Sequence, residues 1–329
     1  MGTHWPLVGR TELLTHIGQT LTDAPRGVVL AGASGVGKTR LAREALSVLD
    51  RRSHRTTWIT ATTGTRAIPL GALSHLLPGE PPVATDRLAL LRVGAAALAR
   101  TNGDGGTPIV GVDDAHLLDE TSAALLHHLA AQRRAVVVAT VRDDVPVPAA
   151  ITMLWKDDLA ERIDVPPLDL EGVRQLADAA LGDQLDQTSL RRLLRDTGGN
   201  PLYLRELLAA GHPLFRGYDG VWQYRGSPAG LPRIVELVES RIGELAARER
   251  EALELVALGE PLELGFLGSL ADDSAAELER RGLLDVQVTD GRWSAGLAHP
   301  LYGEVVRSRM PRLRSRAVRR RLAEALAAT

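Results

Sequence analysis

A chain of 329 residues is too long for one ordinary domain of about 150 residues, so two or three are predicted. Hydrophobic residues make up 44% and supply a core; aromatics are only 3%, so Leu, Ala and Val must fill it, and a net charge of −2 gives no global pull toward nucleic acid or membrane. The absence of cysteine excludes disulfides, thiolate metal sites and thiol catalysis and fits a reducing cytoplasm, while Met1-Gly2-Thr3-His4-Trp5-Pro6 lacks the regions of a signal peptide and no apolar run approaches the ~20 residues that span a bilayer.

In chain order, residues 27–31 form a short apolar run that ends at a Gly-rich turn, and Thr39 to Leu49 then carries Leu41, Ala42, Ala45, Leu46 and Leu49 at helical spacing. Thr56 to Thr60 predicts a second strand. Asp86 to Arg100 predicts a helix with Asp86 as its N-cap, and the loop Thr101 to Pro108 follows. Ile109 to Val112 reads as a buried strand ending in two acids, Asp119 caps a helix through Arg133, and Ala135 to Val141 reads as a fully buried strand. This alternation predicts an α/β fold, a parallel sheet with helices on both faces, over residues 1–166.

Beyond Val165 the pattern changes. Leu170–Leu181, Thr188–Asp196 and Asn200–Ala210 read as consecutive short helices, a helical lid over 167–230 whose last third, 211–232, is a Gly/Pro-rich linker with a strand at Val221–Tyr224. Helices at 233–246, 248–258, 264–271 and 274–282 precede a hairpin, Leu284–Val288 and Arg292–Leu297 around Thr289-Asp290-Gly291. Three helices plus a hairpin predict a winged-helix domain over 231–311. Arg312 to Ala328 reads as a further helix without a C-terminal cap, the start of a helical region that is expected to be cut short.

Gly32-Ala33-Ser34-Gly35-Val36-Gly37-Lys38-Thr39 matches G-x-x-x-x-G-K-[ST] between a predicted strand and helix, the context a phosphate-binding P-loop requires. Gly32, Gly35 and Gly37 let the backbone turn N–H groups inward, and the helix start, with Arg40 on its first turn, adds positive potential. Lys38 would reach the β- and γ-phosphates of ATP or ADP, and Thr39 would offer its hydroxyl to Mg²⁺. Only two of the 39 basic residues are lysines, and Lys38 is one of them. Asp113 at the tip of the third strand would hold Mg²⁺; Asp114 would orient or deprotonate the attacking water, although Glu is common at this position and Asp is one methylene shorter. Arg142 ends the following strand and is expected to sense the γ-phosphate.

With these pieces in place the sequence resembles the ATPase module of the STAND class, the signal-transduction ATPases with numerous domains, in the branch of LuxR-type large ATP-binding regulators. Leu7-Val8-Gly9-Arg10 resembles the family's start segment, Ile68-Pro69-Leu70-Gly71-Ala72-Leu73 and Thr140-Val141-Arg142 follow in family order, and Gly199-Asn200-Pro201-Leu202 and Ala298-His299-Pro300-Leu301 resemble its GxP and HPL segments. The resemblance implies that Val8, Gly9 and Arg10 frame the adenine, that Pro201 meets the base, and that His299 meets the β-phosphate of ADP. It also implies a homo-oligomer on activation and DNA contact only through a C-terminal helix-turn-helix that does not fit after residue 312; the inducer is unknown.

His299 read without the resemblance is equally a structural histidine. His127 and His128 lie side by side on a helix, and no carboxylate completes a zinc site around them, so no metal other than Mg²⁺ is expected. Eight arginines from Arg307 to Arg321 read either as a DNA surface or, preferred here, as a basic face that packs on a downstream domain. Three functions stay open: a nucleotide switch with slow ATP hydrolysis, an initiator- or loader-like ATPase whose winged helix grips DNA, and a scaffold whose nucleotide is structural.

Overall fold

The fold is described from a computed structural model, which describes residues 5–23, 26–50, 56–77, 87–102, 107–182, 184–211, 214–218, 220–271, 274–289 and 292–327. The expected N-cap Asp86, loop residues 103–106 and turn residues Asp290 and Gly291 lie outside these. Two compact units divide the chain, one spanning 7–166 and the other running from 167 onward.

The first unit is a three-layer α/β fold. Its elements are α1 (Thr11–Asp23), β1 (Gly27–Ala31), α2 (Lys38–Asp50), β2 (Thr56–Thr60), α3 (Arg87–Asn102), β3 (Ile109–Asp113), α4 (Glu120–Ala131), β4 (Val136–Val141), α5 (Ala149–Lys156) and β5 (Ala160–Asp164). The strands form one parallel sheet in the order β2-β3-β4-β1-β5. Alternation along each strand decides which layer a side chain joins. Val28 and Leu30 of β1 pack with Ile17 and Leu21 of α1 and Leu41, Leu46 and Leu49 of α2 on one face. Val29 and Ala31 face the other way, toward Leu98, Leu125, Leu126, Ile151 and Leu154 of α3, α4 and α5. Burial on both faces is why β1, β3 and β4 read as unbroken apolar runs.

Asp119 is a buried carboxylate that ties two segments together. It accepts from the Thr121 and Ser122 amides at 3.0 and 2.9 Å, as the N-cap of α4, and from the Leu70 amide at 3.2 Å, with a further bond from the Ser122 hydroxyl. Leu70 itself takes a left-handed backbone, φ 59°. The Ile68–Leu73 segment is thereby pinned to the helix that follows the acidic strand.

The second unit contains α6 (Leu170–Leu181), β6 (Gln184–Leu185), α7 (Gln187–Thr197), α8 (Pro201–Ala210), β7 (Phe215–Tyr218), β8 (Val221–Tyr224), α9 (Pro232–Ile242), α10 (Ala247–Gly259), β9 (Leu262–Glu263), α11 (Leu264–Ala271), α12 (Ser274–Arg280), β10 (Leu284–Thr289), β11 (Arg292–Leu297), α13 (Pro300–Arg309) and α14 (Arg312–Ala327). Its strands form two three-stranded sheets, β6-β8-β7 and β10-β11-β9. The stretch 211–232 is more than a linker: β7 and β8 form an antiparallel pair, β8 also pairs with β6, and Phe215 and Tyr224 are buried. The helix expected to reach 246 stops at Ile242, where Gly243 turns the chain with φ 64°, and the one expected to reach 282 stops at Arg280.

Candidate phosphate and metal site

The parallel sheet places the tips of β1, β4 and β3 side by side, with β4 between the other two. The Gly32–Thr39 loop leaves β1 and feeds α2. Gly32 has φ 151°, and a Cβ there would lie 2.7 Å from the Val165 carbonyl oxygen; Gly37 has φ 99° with open space where a Cβ would stand. Both conformations disfavour any other residue, and the second leaves the concave side of the loop clear. That clear concavity, at the start of a 13-residue helix, fits a polyphosphate.

Lys38 is the first residue of α2 and is only 6% exposed. Its Nζ donates to the Gly32 and Ala33 carbonyls at 2.7 and 2.8 Å. Burial lowers its pKa, opposed by the carboxylates of Asp143, Asp114 and Asp144 and reinforced by Arg142. Thr39 donates its hydroxyl to Asp113 Oδ1 at 2.7 Å, so the start of α2 and the end of β3 meet through a hydroxyl and a carboxylate. A hydroxyl beside a buried carboxylate is an oxygen-rich donor set that suits Mg²⁺.

Thr140 Oγ1 also donates to Asp113 Oδ1, at 2.8 Å, and accepts the Asp114 amide at 2.9 Å. The motif scan assigned Thr140 no role of its own. Its signal is a hydroxyl on a strand whose other five residues are Val or Ala, fully buried all the same. Asp114 is a non-glycine residue in the left-handed region, φ 51° and ψ 45°. Burial raises its pKa and the neighbouring Asp113 raises it further, while Lys38 and Arg142 pull it down.

Arg142 lies at the tip of β4, where its guanidinium is gripped by Asp144, Nε to Oδ1 at 2.9 Å and Nη2 to Oδ2 at 2.8 Å. Sensing a phosphate would require exchange of that carboxylate. Arg10 is buried, and its Nη2 donates to the Pro166 carbonyl, which spends the side chain on holding the unit's own last residue; Val8 is half-buried and Gly9 exposed. Ser34 is exposed, Val36 buried and Arg40 half-buried.

Pro201 and His299 start helices in the second unit by one shared device. Asn200 caps α8 with Pro201 at its first position, its side chain accepting from the Leu202 amide at 3.0 Å; His299 caps α13 ahead of Pro300, its Nδ1 accepting from the Leu301 amide at 3.1 Å. With Nδ1 an acceptor, Nε2 carries the proton and donates to the Thr197 carbonyl at 2.8 Å. Burial lowers the pKa of this imidazole, and the bond to Thr197 opposes that. Both ring nitrogens are therefore engaged within the second unit.

The basic tail differs from expectation in its partner. Its arginines pair with acids of their own unit: Arg314 with Glu254 at 2.7 Å and Glu251 at 3.6 Å, Arg309 with Glu239 at 3.0 Å, Arg307 with Glu260 at 3.7 Å, and Arg321 with Glu251. Among the described residues no group of three or more His, Asp and Glu is placed to hold a metal ion, which leaves a single carboxylate with hydroxyls as the candidate. No helix among them is long and apolar enough to cross a membrane.

Residues 6–141 match the AAA ATPase domain family. The first unit is an AAA-type P-loop ATPase fold. Among solved structures, the Aeropyrum pernix ORC1 protein in complex with DNA is similar at 17% identity, a TM-score of 0.53 and coverage of 92% of this chain and 93% of that one. A signal-transduction ATPase with numerous domains from Pyrococcus horikoshii, bearing a tetratricopeptide repeat sensor, is similar at 18% identity and a TM-score of 0.43 over 94% of this chain and 43% of that one. Cdc6p from Pyrobaculum aerophilum is similar at 16% identity and a TM-score of 0.48 over 94% of this chain and 96% of that one. No curated protein sequence matches the chain. At these identities the likeness concerns the P-loop fold, and the chemistry of this AAA-type domain rests on its own residues.

Proposed function

We propose that this chain is the nucleotide-switch module of a signal-transduction ATPase of the LuxR-type regulator branch, binding ATP or ADP with Mg²⁺ in the cytoplasm and hydrolysing ATP slowly. The observation that carries it is the Thr39–Asp113 contact beside the buried Lys38 ammonium. Lys38 and the loop amides would neutralise the phosphates, Thr39 and Asp113 would hold Mg²⁺, and Asp114 would orient the attacking water. The ion, when bound, supplies positive charge to the oxygens where negative charge develops. Arg142 would exchange Asp144 for the γ-phosphate, so that ATP and ADP favour different arrangements in proportion to their differential affinity.

The roles of Val8, Gly9, Arg10, Pro201 and His299 toward nucleotide, the lid and winged-helix boundaries at 167–230 and 231–311, self-association on activation and a transcriptional output rest on the sequence resemblance. The elements α10 to β11, helices followed by a hairpin, support the winged-helix reading. Lys38→Ala should abolish binding of a fluorescent ADP analogue while leaving the circular-dichroism spectrum and thermal midpoint in place. A variant that still bound with wild-type affinity would remove the cradle from the account.

A second reading is favoured by the likeness to the ORC1 protein solved with DNA, which extends over almost all of both chains. Here the second unit would grip duplex DNA directly, and nucleotide would control that grip. The internal pairing of the Arg307–Arg321 arginines weighs against it.

A further inference from the structure

One buried polar atom beside the site has no role in the scheme above. His116 sits in the 3-10 turn Ala115–Leu117 that follows Asp114, is 4% exposed, and its Nδ1 has no hydrogen-bond partner. Buried nitrogens of this kind are rare, because an unmade hydrogen bond inside a protein is costly. The nearest carboxylate is that of Asp114, whose Oδ1 lies 3.9 Å from Nδ1. That is about 1 Å beyond hydrogen-bond length, and a small rotation of the half-buried Asp114 side chain would close it. Burial, with Arg142 and Lys38 nearby, pushes the His116 pKa down to about 4; Arg66 adds to this and Asp144 opposes it. The ring is neutral at physiological pH and carries one N–H.

We propose that His116 is a positioning residue for Asp114, its Nδ1–H donating to the Asp114 carboxylate and fixing the oxygen that faces the attacking water. This rests on the ATPase reading of Asp114. The carboxylate hangs from a left-handed backbone position with no side-chain hydrogen bond of its own to the turn it precedes, so nothing else on that turn sets its rotamer. Aspartate is also too short to reach a water along the path a glutamate would take, which makes its exact aim matter more. His116 supplies that aim from below, as carboxylate-to-histidine contacts do when they orient a reactive group.

Two substitutions separate positioning from packing. His116→Leu removes the nitrogen and keeps the bulk; His116→Asn restores a polar atom on the same carbon that carries Nδ1. The expected result is that His116→Leu slows single-turnover cleavage of ATP by about 10- to 100-fold with the affinity for an ADP analogue unchanged, and that His116→Asn recovers most of the loss. Wild-type cleavage by His116→Leu, or equal losses in both variants, would overturn the proposal. A second measurement needs no turnover: ¹⁵N-histidine NMR of the nucleotide-free chain, with the signal assigned through His116→Asn. The expected His116 tautomer has the proton on Nδ1, with a shift that moves in Asp114→Ala; a bare Nδ1 that ignores Asp114→Ala would also overturn it. If the wild-type chain does not cleave ATP, the ATPase reading fails, and the tautomer result alone decides whether His116 holds Asp114.

Discussion

Thr140 shows how one hydroxyl can set the geometry of two carboxylate residues. It donates to the Asp113 side chain and accepts the Asp114 amide, and its Oγ1 is the only side-chain polar group on β4. Valine has nearly the same shape, so Thr140→Val keeps the packing and removes both bonds, leaving a buried amide unsatisfied at about 1–3 kcal/mol. Asp113 then loses one of the two donors that orient it. The Mg²⁺ concentration for half-maximal ATP cleavage should rise by about tenfold in Thr140→Val and return toward wild type in Thr140→Ser. A Mg²⁺ titration that does not move in Thr140→Val would take the residue out of the metal's surroundings. Lys38, Thr39 and Asp113 were legible from spacing because the P-loop motif is local and the acids end an apolar strand. Thr140 and His116 were not, since their roles depend on which strands become neighbours and on which buried atom finds no partner. Arg142 was legible as a strand tip, but the sequence does not show that Asp144, two residues on, would take its guanidinium.

The helix α13 is started by a titratable cap. His299 Nδ1 accepts the Leu301 amide, and protonation would abolish that acceptor and place a charge where burial already disfavours one. The folded pKa lies below 6.5, and the unfolded chain takes up its proton near that value. Between the two values the unfolded state binds more protons, so the contribution of His299 to stability is complete above pH ~6.5 and is lost as the pH falls below it. Urea unfolding of the second unit should show a lower midpoint at pH 5.5 than at pH 8. His299→Asn, which can cap a helix without titrating, should flatten that difference. An equal pH dependence in wild type and variant would mean that His299 is not the group responsible. The same cap also explains part of what was readable. Helix starts marked by Asp119, Asp169, Asn200 and His299 fell within a residue of their expected positions, because a cap is a local event. Strand β5, with the sequence Ala-Glu-Arg-Ile-Asp, went unpredicted: it lies at the sheet edge, only Ala160 and Ile163 are buried, and its charges hide the pattern. The two-residue strands β6 and β9 are too short to carry any periodicity.

Over the whole molecule, charge balance separates the two functional readings. A net charge of −2 leaves no general attraction for a polyanion, so a DNA grip would need a concentrated basic surface. The only dense run of arginines is Arg307–Arg321, and within it Arg307, Arg309, Arg314 and Arg321 already face Glu260, Glu239, Glu254 and Glu251. Such partly exposed pairs contribute little to stability, about 1 kcal/mol or less each, but every phosphate that recruits one of these arginines must displace a carboxylate. The switch reading therefore expects this chain to bind duplex DNA no better than a non-specific protein, with Kd values of about 10⁻⁴ to 10⁻⁶ M at physiological salt. Replacing Glu251 and Glu254 together with glutamine releases Arg314 and Arg321. That variant should bind DNA more tightly than wild type, and its log K should fall more steeply with log salt, by about 0.9 for each phosphate newly contacted. A fluorescence-anisotropy titration at several salt concentrations measures both numbers. Tight, steeply salt-dependent binding by the wild-type chain would reverse the ranking of the two readings, because it would show that the arginines reach phosphate in spite of their carboxylate partners.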